Sequence, residues 1–147
     1  MQKKVVVLSL GGSLIIPDEV DVDYLKKFRE IIKRNTNKYK FVIVCGGGSV
    51  ARKYISALRE DNKPTYLQDL VGISSTRLNA RFIAYFFGKD PNWGIPHDMG
   101  QISNLLKREE IIFCGALRYA PNQTSDSTAC KLAAYLKTDF INLTNIK

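Results

Sequence analysis

The residues best suited to chemistry are three consecutive glycines, Gly46, Gly47 and Gly48, followed four positions later by Arg52. Glycine loses more backbone entropy on folding than any other residue, so a triplet needs a compensating reason. Bare backbone N–H groups at the start of a helix favour phosphate, and an arginine about one turn later can add a bidentate contact. The segment therefore predicts phosphate binding, although a glycine-rich turn with a surface arginine is the plainer alternative.

Two more polar segments follow apolar runs in the same way. The first apolar run ends in Gly11, Gly12 and Ser13, and the polar segment 115–126 follows the run at 111–114. In open α/β sheets, ligands bind outside the carboxyl ends of the strands. Parallel strands would bring all three loops to one edge of the sheet, which strengthens the expectation of a phosphate ligand there.

Alternating strands and helices must position these loops. The β-rich runs predict strands at 3–10, 41–45, 111–114 and 140–143. Between them, helices are expected from Asp21 or Asp23 to 34, over 49–60, over 66–87 as one long helix or a pair, over 101–108 and over 126–136, with a loop at 88–100. This order indicates an α/β sandwich with a largely parallel sheet.

Helical spacing also predicts which side chains face inward. On the first helix these are Val22, Leu25, Phe28, Ile31 and Ile32, and on the second they are Val50, Tyr54, Ile55 and Leu58.

Charge and size limit the partners. A chain of 147 residues can form one domain with its own core, and 22 basic against 14 acidic residues give a net charge of +8. That charge suits polyanions or phosphorylated small molecules. The basic residues are dispersed, without a basic tail or a zinc finger, so nucleic acid is the weaker alternative.

Hydropathy and cysteine usage indicate a cytoplasmic protein. The apolar runs are far shorter than the roughly 20 residues of a membrane helix, and the first residues lack the features of a signal peptide. Cys45, Cys114 and Cys130 are dispersed in apolar contexts, which predicts buried free thiols. The lone histidine, His97, is interpreted as structural or solvent-exposed, not catalytic.

Four ordered segments carry a resemblance to a known family: residues 7–13 (VLSLGGS), 44–54 (VCGGGSVARKY), 69–80 (DLVGISSTRLNA) and 124–129 (TSDSTA). Together they resemble the amino-acid kinase superfamily, and within it the archaeal-type UMP (uridylate) kinases. The resemblance implies a three-layer αβα sandwich and transfer of the ATP γ-phosphate to UMP, with Mg²⁺, in cytoplasmic pyrimidine nucleotide biosynthesis. It also implies a homo-oligomer, a dimer or a hexamer.

The resemblance implies a UMP site on matching positions. Asp69 would accept hydrogen bonds from the ribose hydroxyls. Taken alone, Asp69 better suits a helix cap or a solvated carboxylate, and the surrounding pattern of Gly72, Thr76, Arg77 and Asn79 reverses that preference. The implied UMP-binding residues are Gly47, Asp69, Ala116, Leu117, Arg118, Tyr119, Ala120, Pro121, Asn122, Gln123 and Thr124.

It further implies the groups around the transferring phosphate. Arg52 and Asp126 would be catalytic, Arg52 beside the phosphates and Asp126 as the carboxylate that organises the charges. Asp126 could also be the N-cap of its helix. The implied ATP-binding residues are Gly12, Ser13, Gly48, Arg52, Thr144 and Asn145, and no protein metal site is expected. Phosphoryl transfer needs positioning and charge neutralisation, which these residue types supply.

The sequence departs from the family pattern in four places. Ser9 stands where many branches carry lysine; the archaeal-type enzymes also lack that lysine, so this departure supports the subfamily. Ala116 replaces a glycine. The loop from Leu117 to Pro121 is longer, with Asn122 at a usual glycine, so Arg118 could meet a phosphate or solvent. Relatives also continue past residue 147. The chain is therefore expected to be the amino-terminal, acceptor-binding part of the domain, without the carboxy-terminal ATP-binding part.

Three alternatives stay open from the sequence. Another kinase of the superfamily could act on acetylglutamate, glutamate or carbamate, although the segment 69–80 argues for the uridylate branch. The chain could also be a catalytically silent nucleotide-binding module. A basic nucleic-acid-binding domain is the third and weakest possibility.

Overall fold

The computed structural model describes residues 2–90, 94–119 and 124–145. Strands and helices alternate through them in this order: β1 (Lys4–Leu10), α1 (Gly12–Ile15), α2 (Val22–Arg34), β2 (Tyr39–Cys45), α3 (Gly48–Glu60), α4 (Thr65–Phe86), α5 (Met99–Leu105), β3 (Ile111–Cys114), α6 (Ser125–Leu136) and β4 (Asp139–Leu143).

The four described strands form one parallel sheet in the order β3-β2-β1-β4. The strands end in register, because Leu10 at the end of β1 aligns with Cys45 of β2 and with Leu143 of β4. Buried β-branched and leucine side chains fill both faces of β1 and β2, as parallel strands require. The expected parallel sheet is confirmed, and its carboxyl edge carries the polar loops.

Helices cover both faces of the sheet. On one face, the Phe87 ring lies 6.0 Å from Phe28 of α2 and 5.0 Å from Phe113 of β3. On the opposite face, Ser9 of β1 donates to Asp126 of α6. Since successive strand residues point to opposite faces, this is the expected three-layer αβα sandwich.

Three helix predictions needed adjustment. Residues 65–86 form one helix of 22 residues, not a pair. The helix expected at 101–108 begins at Met99, because Asp98 caps it by accepting from Gln101 N at 2.8 Å. The helix expected at 126–136 begins at Ser125, with Thr124 as its cap. Asp126 is therefore not the N-cap.

Some predicted inward residues are exposed. Val22 and Ile31 of α2 are 43% and 56% exposed. Ile31 lines an open groove beside β4, the outer strand of the described sheet. Tyr54 is 58% exposed, whereas the buried residues of α3 are Ser49 and Ala51 near its start. The predicted stripes were wider than the surfaces that the neighbouring elements offer.

One cysteine prediction was wrong. Cys45 and Cys114 are buried free thiols on adjacent strands, but Cys130 is exposed. Cys130 lies in an apolar stretch of α6, yet the helical period turns it away from Ala129 and Leu132, which are buried. Burial raises the pKa of Cys114 to about 12. The pKa of Cys45 is raised well above its ordinary value, mainly by burial and to a smaller extent by the neighbouring Cys114.

Candidate phosphate and nucleotide site

The glycine loops after β1 and β2 pack directly against each other. A Cβ atom on Gly12 would lie 2.0 Å from Gly48 N, and one on Gly46 would lie 2.6 Å from Gly12 N. Gly48 also has φ +61°, where side chains are strained. Backbone-to-backbone packing therefore explains part of the glycine requirement, for which the sequence had offered a phosphate ligand or a glycine-rich turn.

A cavity of about 290 Å³ opens beside these loops. It lies between α3, α4, the loop after β3 and the start of α6. Seven of the residues predicted from the sequence line it: Gly47, Gly48, Arg52, Asp69, Ala116, Arg118 and Thr124. The tertiary structure thus brings together positions that lie up to 77 residues apart in the chain.

Arg52 links helix α3 to the segment after β1. Its Nη1 donates to Ser13 Oγ at 3.4 Å, and its Nη2 donates to Pro17 O at 3.0 Å. The side chain is exposed, so its guanidinium is available to an anion at the start of α3. A cation at that position complements the partial positive charge of the helix N-terminus in binding phosphate.

Asp126 lies at the same sheet edge, in the first turn of α6. Its Oδ1 accepts from Ser9 Oγ at 2.6 Å. Ser9 is fully buried on β1, whereas the Asp126 residue is exposed. Ser9 therefore orients the predicted catalytic carboxylate, a role that sequence reasoning missed. Two signals pointed to Ser9: a polar residue inside an otherwise apolar strand, and its position where many branches of the family carry lysine.

The predicted acceptor loop is partly described. Tyr119 Oη donates to Asp69 Oδ2 at 3.5 Å, a long contact at the mouth of the cavity. Leu117 does not line the cavity, because its side chain is 4% exposed within the core. Arg118 forms a 3.8 Å ion pair with Asp98 and its side chain is 84% exposed. The predicted residues Ala120, Pro121, Asn122 and Gln123 lie outside the described residues.

Helix α4 supplies polar contacts to both loops. Thr76 Oγ1 accepts from Ala116 N at 2.8 Å, and Arg77 donates to Ala116 O at 3.1 Å and to Leu117 O at 2.6 Å. Asn79 Nδ2 donates to backbone oxygens of the glycine triplet. The sequence had marked these positions as part of a pattern but had assigned them no role.

The predicted ATP-binding residues fall at the ends of β1, β2 and β4. Gly11 N donates to Leu143 O at 2.9 Å, which ties the glycine turn to the end of β4. Thr144 follows at once, and a Cβ on Gly11 would lie 3.7 Å from its Cα. Asn145 is exposed and is the last residue of that described range.

His97 and the acidic residues add no further centre. His97 is exposed, outside the cavity, with its backbone N donating to Gln101 Oε1 at 2.6 Å. Within 2–90, 94–119 and 124–145, no group of three or more His, Cys, Asp or Glu side chains is arranged to hold a metal ion. Across the same ranges, no helix is long and apolar enough to cross a membrane.

Family comparison agrees with this geometry. The model of the amino acid kinase family matches residues 4–147. The chain belongs to the amino acid kinase family. The fold and the resemblance read from the four sequence segments are thereby confirmed.

Within this family, several uridylate kinases are similar to the chain. The chain is 33% identical to a uridylate kinase of Methanosarcina acetivorans over 94% of its own length and 58% of the relative's. It is 38% identical to the uridylate kinase of Thermoplasma acidophilum, with 96% and 60% covered. The crystal structure of uridylate kinase from Archaeoglobus fulgidus superposes with a TM-score of 0.81 at 34% identity, covering 96% of this chain and 63% of that one. The chain thus spans about 60% of the length of these relatives.

Proposed function

We propose that this chain is the amino-terminal, acceptor-nucleotide-binding part of a UMP kinase. The observation that carries the proposal is the cavity in which Gly47, Gly48, Arg52 and Asp69 meet. A volume of about 290 Å³ falls near the lower end of the range for small-molecule pockets, so it suits one nucleotide better than an extended polymer. The names of the similar uridylate kinases support UMP as that nucleotide.

In the proposed reaction, the chain's residues position two phosphates and balance their charge. The amides at the start of α3 and the Arg52 guanidinium would bind the UMP phosphate, while Asp69 would accept from the ribose hydroxyls. No side chain has to form a covalent intermediate, because phosphoryl transfer relies on in-line positioning and electrostatic stabilisation. The product pair would be UDP and ADP, within cytoplasmic pyrimidine nucleotide synthesis.

Mg²⁺ fits the donor set as an ion carried by ATP. The exposed Asp126 carboxylate at the sheet edge can offer oxygen, and Mg²⁺ commonly binds one or two carboxylates together with substrate phosphates. When bound, the ion would neutralise charge on the phosphates. Asp126, held by Ser9, would keep its carboxylate directed to that charge.

The ATP side of the proposal rests on fewer residues. Gly12, Ser13 and Gly48 would face the transferring phosphates, and Thr144 and Asn145 would begin the nucleotide site. Because the chain spans about 60% of its relatives, complete kinase activity and a homo-oligomeric state are proposed for the whole protein of this type.

Calorimetry on the 147-residue chain tests the acceptor assignment. We expect UMP to bind and N-acetylglutamate, glutamate and carbamoyl phosphate not to bind. Asp69→Asn should weaken UMP about tenfold, since a charged acceptor contributes roughly 1.5–3 kcal/mol per hydrogen bond. Asp61→Asn, an exposed carboxylate that pairs with Lys63 outside the cavity, is the matched control. Binding of an amino acid in place of UMP would refute the assignment.

A turnover assay separates a kinase from a silent nucleotide-binding module. ADP release from ATP and Mg²⁺ is measured with and without UMP. UMP-dependent ADP release supports an active kinase, whereas UMP binding without turnover supports an acceptor-binding module.

A further inference from the structure

Asn79 is a buried amide of α4 aimed at the glycine triplet. The residue is 5% exposed, and its Nδ2 donates to Gly46 O at 2.8 Å and to Gly47 O at 3.0 Å. Asn79 does not line the cavity, whereas Gly47 and Gly48 do. One side-chain amide therefore holds two successive backbone carbonyls from behind the loop.

The geometry of the peptide unit gives this contact a consequence. In a trans peptide, the C=O of one residue and the N–H of the next point in opposite directions. With the carbonyls of Gly46 and Gly47 held toward Asn79, the N–H groups of Gly47 and Gly48 point away from it. Glycine tolerates either peptide orientation, so the sequence of the loop does not fix the direction by itself.

The two peptide units differ in their other restraints. Gly47 O also accepts from Ala51 N at 3.4 Å, the first bond of α3. For Gly46 O, the described contact is the one from Asn79. A reversed peptide at that point would turn a carbonyl oxygen, and not an N–H group, toward the side on which an anion binds, and would repel it.

We propose that Asn79 is a positioning residue that fixes the glycine triplet so that N–H groups, and not carbonyl oxygens, meet the acceptor phosphate. The inference rests on the proposed function, because it takes the ligand at Gly47 and Gly48 to be a nucleoside monophosphate. It assigns Asn79 a selective role: recognition of the phosphate depends on it, and recognition of the nucleoside does not.

The test compares UMP with uridine, which lacks the phosphate, by NMR titration of the full 147-residue chain. Asn79→Leu removes the donor at similar volume, and Asn79→Ser keeps a single, shorter donor. Ser75→Ala is the control, since this buried hydroxyl of the same helix donates to Val71 O of its own helix. The measured quantity is the ratio of the uridine and UMP dissociation constants, in which any loss of folded protein cancels.

We expect Asn79→Leu to lower this ratio about tenfold or more, Asn79→Ser to lower it less, and Ser75→Ala to leave it unchanged. An unchanged ratio in both Asn79 variants, which includes the case in which UMP and uridine weaken equally, overturns the inference and leaves the proposed function intact. If Asn79→Leu does not fold, Asn79→Ser decides by the same ratio. Absence of UMP binding by the unaltered chain overturns the proposed function and this inference together.

Discussion

Arg52 joins helix α3 to the segment after β1, because its guanidinium donates to Ser13 Oγ and Pro17 O. Both hydrogen bonds are exposed to solvent, and together they leave several of the five N–H donors of the guanidinium unused. A phosphate that arrives at the start of α3 would thus meet a cation that is already oriented. Preorganisation of this kind lowers the entropy cost of binding.

Replacement of this arginine should therefore weaken phosphate recognition. We expect Arg52→Ala to raise the dissociation constant for UMP about tenfold or more, as loss of a charge-assisted hydrogen bond of roughly 1.5–3 kcal/mol implies. Lys53→Ala removes the next positive charge, which is exposed and does not line the cavity, and should change little. Calorimetry at fixed salt measures both. Equal losses in the two variants would attribute the effect to net charge and not to Arg52.

The three cysteines should differ sharply in reactivity. The thiolate is the reactive form, so the pKa of about 12 for Cys114 and the raised pKa of Cys45 leave both as thiols at pH 8. We expect iodoacetamide at pH 8 to label Cys130 alone in the folded chain, and all three in urea, as read by peptide mass spectrometry. Equal labelling of Cys114 under native conditions would contradict the buried position of β3.

At the scale of elements, the two glycine loops are a packing unit as well as a phosphate-binding candidate. Gly48 combines φ +61° with Gly12 O at 2.5 Å from its hypothetical Cβ. Gly88 has a similar φ, +77°, but nothing lies within 4 Å of the same position. A comparison of substitutions at Gly88 and Gly48 therefore distinguishes the cost of backbone strain alone from the cost of strain plus steric contact.

This comparison gives a stability prediction. Gly88→Ala should lower the free energy of unfolding by about 1 kcal/mol, the usual cost of a left-handed conformation for a non-glycine residue. Gly48→Ala should cost at least about 2 kcal/mol, because the loops must also move apart. Urea denaturation of both variants provides the values. Equal costs would mean that the loops do not pack as tightly as the distances indicate.

Helix α4 acts as the support for both halves of the candidate site. Thr76 and Arg77 bind the backbone after β3, and Asn79, less than one turn further on, binds the backbone after β2. Gly115 is part of the same junction, since a Cβ there would lie 2.6 Å from Thr76 Oγ1. Burial lowers the pKa of Arg77, although arginine keeps its charge in proteins.

The loop after β3 should depend on this support. We expect Arg77→Met to speed amide hydrogen exchange at Leu117 and Arg118 about thirtyfold, because two hydrogen bonds to the loop are lost at roughly 1 kcal/mol each. Arg81→Met is the matched control, since Arg81 donates to Tyr85 Oη within its own helix. Exchange that is unchanged in Arg77→Met would show that other contacts hold the loop.

For the whole molecule, the edge at β4 is the feature with the clearest consequence. Within the described sheet, β4 pairs with β1 alone, and Ile141 is 48% exposed. A groove of about 890 Å³ runs beside it, lined mostly by apolar side chains of α2, β1, β2 and β4. Open edge strands pair readily with other chains.

A charge on this edge should reduce self-association. We expect Ile141→Lys to shift the sedimentation coefficient toward the monomer value at high protein concentration, because an edge lysine opposes strand pairing. Leu78→Lys, which replaces a similarly exposed side chain on α4, should leave any association unchanged. An unaltered concentration dependence in Ile141→Lys would exclude β4 as the contact.

The sequence by itself determined the order of elements, the parallel sheet and the placement of glycine loops at strand ends. Local signals sufficed for these features: apolar runs of strand length, helical spacing and glycine at the turns. The same signals identified Arg52 beside the glycine triplet, whereas Asp69 and Asp126 became candidates through the resemblance to the amino-acid kinase family. Helix starts were less certain, because Thr124 and Asp126 are both good caps and only the backbone path selects Thr124.

Only the tertiary structure decided which distant groups touch. The contact between Ser9 and Asp126, the backing of the glycine carbonyls by Asn79 and the exposure of Cys130 all depend on how α4 and α6 lie against the sheet. Side-chain spacing along the chain carries no information about such contacts, because they join residues from different elements. The glycine triplet illustrates both parts: its sequence predicted a phosphate loop, and the fold revealed that packing against Gly12 also requires glycine there.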